Sequence, residues 1–260
     1  MPVSNMKVSS IKEGKTIGVL GVKGGVGSST FALNLASALA LGEKVNLVDG
    51  NLQQPDLATL LNVSPRFNLQ DLSPRLDGLT EEMLASMSLP EKDLGNLTLI
   101  TPPLVLDQAL TISPYALVNL LAGLRQLNHT TVIDLPKIMD QTLLDLLDSL
   151  SHLFLLIEAT VPAIAAAARW LKVISDLGFA GENLTIVLNR AGGKNKEIEG
   201  QILQMVKDRD FNLVKLANDF KEVENAAVVG LPLVLTAPRC AYSRSLKNIV
   251  ASISLEYSRS

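Results

Sequence analysis

The sequence predicts an α/β protein: an open, mostly parallel β-sheet flanked by helices on both faces. Three observations carry this. Short apolar runs alternate with amphipathic stretches along nearly the whole chain. The runs are apolar throughout, the pattern of strands buried on both sides. The first run ends in a glycine-rich turn, GVKGGVGSST, that opens a helical stretch.

The elements follow in order. TIGVLG (16–21) reads as the first strand, and SSTFALNLASALALG as a helix with Phe31, Leu35 and Leu39 on one stripe and Gly42 as its stop. KVNLVD (44–49) is the next strand, residues 80–87 a short helix, and NLTLITP (96–102) a strand. SPYALVNLLAGLRQL (113–127) is a helix opened by Ser-Pro. TTVIDL (130–135) is a strand, 140–150 a helix and LFLLIEA (153–159) a strand. PAIAAAARWLKVISDLG is a helix closed by Gly178, and its alanine run, Ala163 to Ala168, suits close packing on a sheet. LTIVLN (184–189) and NLVKLA (212–217) are strands, each followed by helices. Neither internal repeats nor low-complexity segments interrupt the series.

Composition narrows the class. A chain of 260 residues can bury a sizeable core, and 47% hydrophobic with 19% charged residues describes a folded chain. A net charge of −3 implies no broad basic surface for nucleic acid. The single cysteine, Cys240, excludes an internal disulfide, a four-cysteine cluster or a CxxC pair, reads as packed rather than reactive, and suits a reducing, cytoplasmic setting. His129 and His152 read as isolated loop or strand-edge residues without metal-ligand spacing. Residues 1–15 lack the apolar core of a signal peptide and read as a flexible arm before one domain, 16–260. HLFLLIEATVPAIAAAARWL is broken by Glu158 and Pro162, short of the ~20 apolar residues of a membrane span.

Open parallel sheets bind ligands beyond the carboxyl ends of their strands, so those ends hold the candidate site. In GVKGGVGSST the glycines let backbone N–H groups approach a polyphosphate, and the following helix adds its positive end. The general phosphate loop is GxxxxGK[ST]. Here Val22 holds the first glycine position, Ser28 the lysine position, and Lys23 stands early in the loop. Ser29 falls where a Mg²⁺-coordinating hydroxyl belongs.

KGGVGSS resembles the deviant Walker A motif, KGGVGK[ST], of the ParA/MinD superfamily of P-loop ATPases, and the resemblance extends over about residues 14 to 255. It implies ATP and Mg²⁺ as cofactors. It implies nucleotide contacts from Lys23, Gly24, Gly25, Val26, Gly27, Ser28, Ser29 and Thr30, with Lys23 reaching across a homodimer to the partner's ATP. In LVDGNLQQPDLATLL, Asp49 matches the first residue of the family's acid-x-acid pair, and Asn51 replaces the second. An amide hydrogen-bonds but is no carboxylate base. Asp134, ending VIDLPK, matches the Walker B acid. The resemblance thus implies Lys23, Asp49, Asn51 and Asp134 as catalytic positions and Ser29, Asp49 and Asp134 as the metal site. Asn189 in VLNR matches the residue at the adenine edge. Asp219 in LANDFKEVENAAVVGLPLV matches an acid near the base and dimer interface, with Ala217 in place of a proline.

DLP followed by Lys137, the small residue at 28 and the VDGNLQQPDLATLL segment are similar to the CpaE/TadZ pilus-assembly branch. That resemblance implies an ATP-binding, dimerising localisation factor for a type IV/Tad pilus or other polar surface apparatus. It would be cytoplasmic, reaching a pole or the inner membrane face through a protein partner. Losing a charged hydrogen-bond partner at position 28 is worth roughly 1.5–3 kcal/mol, or about 10- to 150-fold in affinity. With Asn51 also present, ATPase activity is expected to be weak or absent, and Lys137 is read as a solvated switch-loop lysine rather than a replacement. Three alternatives stand beside this. One is a nucleotide-free pseudo-ATPase scaffold. Another is a DNA-partitioning ATPase using Arg239, Arg244 and Lys247, against the acidic balance. The third is a MinD-like membrane ATPase using the C-terminal stripe Leu246, Ile249, Val250 and Ile253.

Overall fold

The computed structural model describes residues 14–87, 89, 94–113, 115–179, 181–193 and 195–257. Residues 1–13 of the expected arm, and the side chain of Ile253, lie outside them. Gly14 is already tied to the body, its N–H donating to the carbonyl of Arg125 at 2.9 Å.

Seven strands are described: β1 (Thr16–Gly21), β2 (Val45–Asp49), β3 (Leu97–Ile100), β4 (Thr130–Asp134), β5 (His152–Glu158), β6 (Leu184–Ala191) and β7 (Asn212–Ala217). They form one sheet in the order β3-β2-β4-β1-β5-β6-β7, every pairing parallel. The larger helices are α1 (Ser28–Ala40), α6 (Tyr115–Gln126), α7 (Gln141–Asp148), α8 (Val161–Asp176), α9 (Lys196–Lys207), α10 (Phe220–Val229) and α12 (Ala241–Tyr257). Short turns of helix fill the rest: α2 (Leu57–Leu60), α3 (Leu69–Leu72), a 3₁₀ segment (Ser73–Gly78), α4 (Glu81–Ala85), α5 (Leu106–Ala109) and α11 (Leu233–Thr236).

The open parallel sheet is therefore as the apolar runs predict. Every residue of β1, β2, β3, β4 and β5 is buried. Only β7, at an edge, is largely uncovered, and it carries the polar Asn212 and Lys215 that suit an edge strand. Phe31 of α1 meets Phe154 of β5 edge-on, ring centroids 5.3 Å apart, which fastens α1 over the sheet centre. Leu246 and Ile249 of α12 are buried, and α12 packs on β7 and α1, so the C-terminal apolar stripe serves the core. In α8, Ala163, Ala166 and Ala167 face inward, as close helix–sheet packing requires.

Both histidines differ from the expectation of isolated residues. His129 Nε2 lies 2.8 Å from Glu81 Oε1. His152 is buried, 3.0 Å from the Thr185 hydroxyl and against the Phe154 ring. A polar ring at a strand start looks exposed in sequence, but here β1 and β6 flank it. Cys240 is half-buried, its thiol 3.3 Å from the Ser243 hydroxyl.

Parallel register sets the site. Asp49 pairs with Asp134, and Val19 of the central strand also pairs with Asp134. On the other side Glu158 pairs with Asn189. Asp49 and Asp134 thus share one level, that of Val19 and Phe154, while Glu158 and Asn189 share another four residues further along, beside the loop that leaves β1.

Candidate functional site

The loop from Val22 to Gly27 is held from outside by its carbonyls. Trp170 Nε1 donates to the carbonyl of Val22 at 3.2 Å, Arg190 Nη2 to Gly25 at 3.1 Å, and Asn189 Nδ2 to Val26 at 2.8 Å. The Val22 N–H donates to the Leu156 carbonyl at 3.0 Å, and with three loop carbonyls also engaged the N–H groups beyond Val22 are those a phosphate would meet. Gly27 ends the loop at φ 91°, in the left-handed region, and a Cβ there would stand 2.6 Å from the Asn189 amide nitrogen. Only glycine meets both demands. No side chain caps α1, so its first N–H groups face the same space. Val26, Ser28 and Ser29 are buried, Gly24 and Gly25 are exposed, and Thr30 is half-buried.

Ser29 is the hub of the polar cluster. Its hydroxyl donates to Asp134 Oδ2 at 2.6 Å, and the Asn51 amide donates to the same oxygen at 3.1 Å. The other oxygen, Asp134 Oδ1, is buried without a hydrogen-bond partner. Burial pushes the Asp134 carboxyl up to about 6, against the Ser29 and Ser28 hydroxyls and the Lys137 charge, which favour the anion. Asp49 does a different job. Its Oδ1 accepts the N–H of Asn51, and its Oδ2 accepts those of Asp56 and Leu57, at 3.0–3.1 Å. Burial pushes it up to about 7, against those backbone donors, with Asp134 adding to the rise. Asp49 therefore shapes the loop after β2.

Lys23 is held within its own chain. Its ammonium lies 2.7 Å from Glu158 Oε1, while Arg190 Nη1 lies 2.7 Å from Glu158 Oε2. One strand-end carboxylate thus clasps the loop lysine and the arginine that binds the loop carbonyl. Arg190 has φ 55°, and the β6–β7 register shifts between Leu188 and Ala191. Such bulges re-aim side chains near functional sites. Asp219, placed by sequence near the base, accepts the N–H of Ala241 at 3.0 Å and so joins the start of α10 to that of α12.

The loop brings Lys23, Ser28, Ser29, Asn51, Asp134 and Asn189 together, with Asp49 beneath them. Sequence reasoning missed Glu158, Arg190 and Asp56. Glu158 had a signal, an acid closing an apolar strand, which was read only as a break in a hydrophobic run.

Among the described residues, no three His, Cys, Asp or Glu side chains gather as a metal site. Mg²⁺ does not ask for that. It takes one or two protein oxygens and completes its shell with waters and phosphate oxygens. Ser29 Oγ and the Asp134 carboxylate with its unpartnered oxygen fit such an ion, and the loop fits a polyphosphate.

Fold and site define the class: an α/β protein with a P-loop at the end of its central strand. The profile of the ParA family, described as NUBPL iron-transfer P-loop NTPase, matches residues 12–94. The septum site-determining protein MinD of Thermotoga maritima is 24% identical over 245 residues, covering 92% of this chain and 88% of MinD. A ParA family ATPase from Chlorobium tepidum superposes with a TM-score of 0.80 at 22% identity, over 91% of this chain and 98% of that one. MinD from Pyrococcus horikoshii, complexed with Mg-ADP, gives 0.76 at 20% identity, over 92% and 95%. The chain therefore has the fold of the ParA and MinD P-loop NTPases, and its first third matches the ParA family model.

Proposed function

We propose that this chain is a nucleotide-dependent positioning factor: it binds ATP with Mg²⁺, forms a homodimer across the nucleotide, and in that state places a protein partner. The observation that carries the reading is the Ser29–Asp134 pair at the mouth of a loop three of whose carbonyls are engaged. In this reading the loop N–H groups hold phosphate, and Ser29 and Asp134 hold Mg²⁺, which supplies charge neutralisation. Asn189 and Asp219 border the base, and Lys23 leaves Glu158 to reach the partner's nucleotide. Residues 16–260 are the working domain.

Hydrolysis is slow or absent. Position 51 offers an amide that donates to Asp134 in place of a carboxylate that accepts from water, and position 28 offers a hydroxyl in place of an ammonium. The MinD relative's role in septum siting supports a positioning role here. The DLPK segment and the residue at 28 favour a Tad-type pilus or another polar surface apparatus as the thing placed. The exposed Leu104, Val105, Leu106 and Leu110 offer the partner an apolar face. Among the described residues no helix is long and apolar enough to cross a membrane, so membrane contact in this reading goes through the partner.

The test is calorimetric titration with Mg-ATP, run beside light scattering, on wild type and Lys23→Ala. Binding with a doubling of mass that Lys23→Ala abolishes is expected. One observation favours the nucleotide-free scaffold instead: Glu158 already neutralises Lys23 in cis. No heat at millimolar ATP and an unchanged mass would establish that second reading.

A further inference from the structure

The acid lost at position 51 has a counterpart in the same loop. Asp56 Oδ2 lies 3.5 Å from Ser29 Oγ, on a hydroxyl that already donates to Asp134 Oδ2 at 2.6 Å. One hydroxyl therefore stands between two carboxylates. The place of Asp56 is set from below, because its own N–H is held by the buried Asp49. Asp56 is the N-cap residue of α2, yet its side chain makes no capping bond, so the helix does not use it. A 3.5 Å contact is at the outer limit of hydrogen bonding, so Ser29 does not hold it firmly either.

The surroundings ask for a cation. Asp134 Oδ1 is buried and unpartnered beside Asp56's partner hydroxyl. A cleft of about 320 Å³ on the far side of Asp56 is lined by Asn51, Gln53, Asp56, Pro136, Lys137 and Asp140 among others, and Lys137 is the one basic side chain among its described lining residues. An ordinary phosphate loop would add a lysine at position 28. Here that position is a hydroxyl, which leaves the carboxylates under-balanced.

We infer that Asp56 is the acid of this site, positioning the hydrated Mg²⁺ that enters with the nucleotide in place of the carboxylate absent at Asn51. The inference rests on the nucleotide reading above. Mg²⁺ keeps several waters and is held through one or two carboxylates, so a second carboxylate beyond Ser29 is where those waters would be fixed. A further consequence follows from Ser28. Without its lysine the site repels metal-free ATP, so binding is tied to the metal.

The experiment is fluorescence titration of an N-methylanthraniloyl-ATP probe, with Mg²⁺ and with EDTA, on wild type, Asp56→Asn and the double variant Asp56→Asn/Asn51→Asp. Wild type is expected to bind far better with Mg²⁺. Asp56→Asn should weaken Mg²⁺-dependent binding about tenfold, the usual cost of losing an outer partner of a metal. It should bind metal-free nucleotide at least as well as wild type, because one repelling charge is gone. The double variant should recover Mg²⁺ dependence. Equal weakening in Mg²⁺ and in EDTA would mean a structural role and overturn the inference, as would unchanged Mg²⁺ dependence. A wild type that binds in neither condition would bring down the nucleotide reading and this inference with it, an outcome distinct from the other two.

Discussion

At the scale of the residue, Ser28 is the substitution that matters most. It is buried in the first turn of α1, and its hydroxyl favours the charged form of Asp134. A lysine there would put an ammonium in the loop beside the buried carboxylate of Asp134. Ser28→Lys is therefore expected to tighten Mg-ATP binding by roughly 10- to 150-fold, the value of a charged hydrogen bond. Turnover should stay slow, because Asn51 remains. Calorimetry and a phosphate-release assay separate the two effects, and an unchanged dissociation constant would show that charge at this position does not limit binding. This residue was legible in sequence because phosphate loops have fixed spacing. Asp56 was not, because its significance depends on Asp49 folding the loop back by three backbone hydrogen bonds onto Ser29.

At the scale of the element, the site is a set of strand ends placed by parallel register, Asp49 beside Asp134 and Glu158 beside Asn189. That explains why Asp49, Asp134 and Asn189 were readable from sequence: each closes an apolar run. The turns α2, α3 and α5 were not, since four residues carry no helical periodicity. Nor was the clasp at the end of β5, which needs three separate segments to meet. Glu158 bridges Lys23 and Arg190, and its side chain is 11% exposed, so the pairs are only partly screened. Glu158→Gln removes the charge while keeping the shape. It should release Lys23 and raise the fraction of dimer at a given Mg-ATP concentration, read by light scattering, with Lys23→Ala cancelling the gain. A dimer fraction equal to or below wild type would show that Glu158 orders the loop rather than restraining its lysine.

At the scale of the whole molecule, the sheet was legible because continuous apolar strands admit few other folds. What the sequence concealed was polar groups inside that sheet. His152 is the clearest case, the first residue of β5, whose ring hydrogen-bonds to Thr185 of β6 and rests on Phe154. Burial pushes its pKa down to about 4 from the ordinary 6.5. Between those values the unfolded chain binds the proton and the folded chain does not. The contribution is thus complete above about pH 6.5 and is lost progressively as the pH falls toward about 4. Asp49 and Asp134, both raised, act in the opposite sense, since the folded chain binds protons there that the unfolded chain releases. A simple pH–stability curve mixes the two trends. The difference between wild type and His152→Asn isolates the histidine, because the carboxylates are common to both. Urea denaturation at about pH 7.5 and about pH 5 should show wild type losing about 2 kcal/mol more than the variant, from ~1.36 kcal/mol per pH unit below 6.5. A gap that does not change with pH would mean that His152 takes up its proton without opening the sheet, and that the β5–β6 junction admits water.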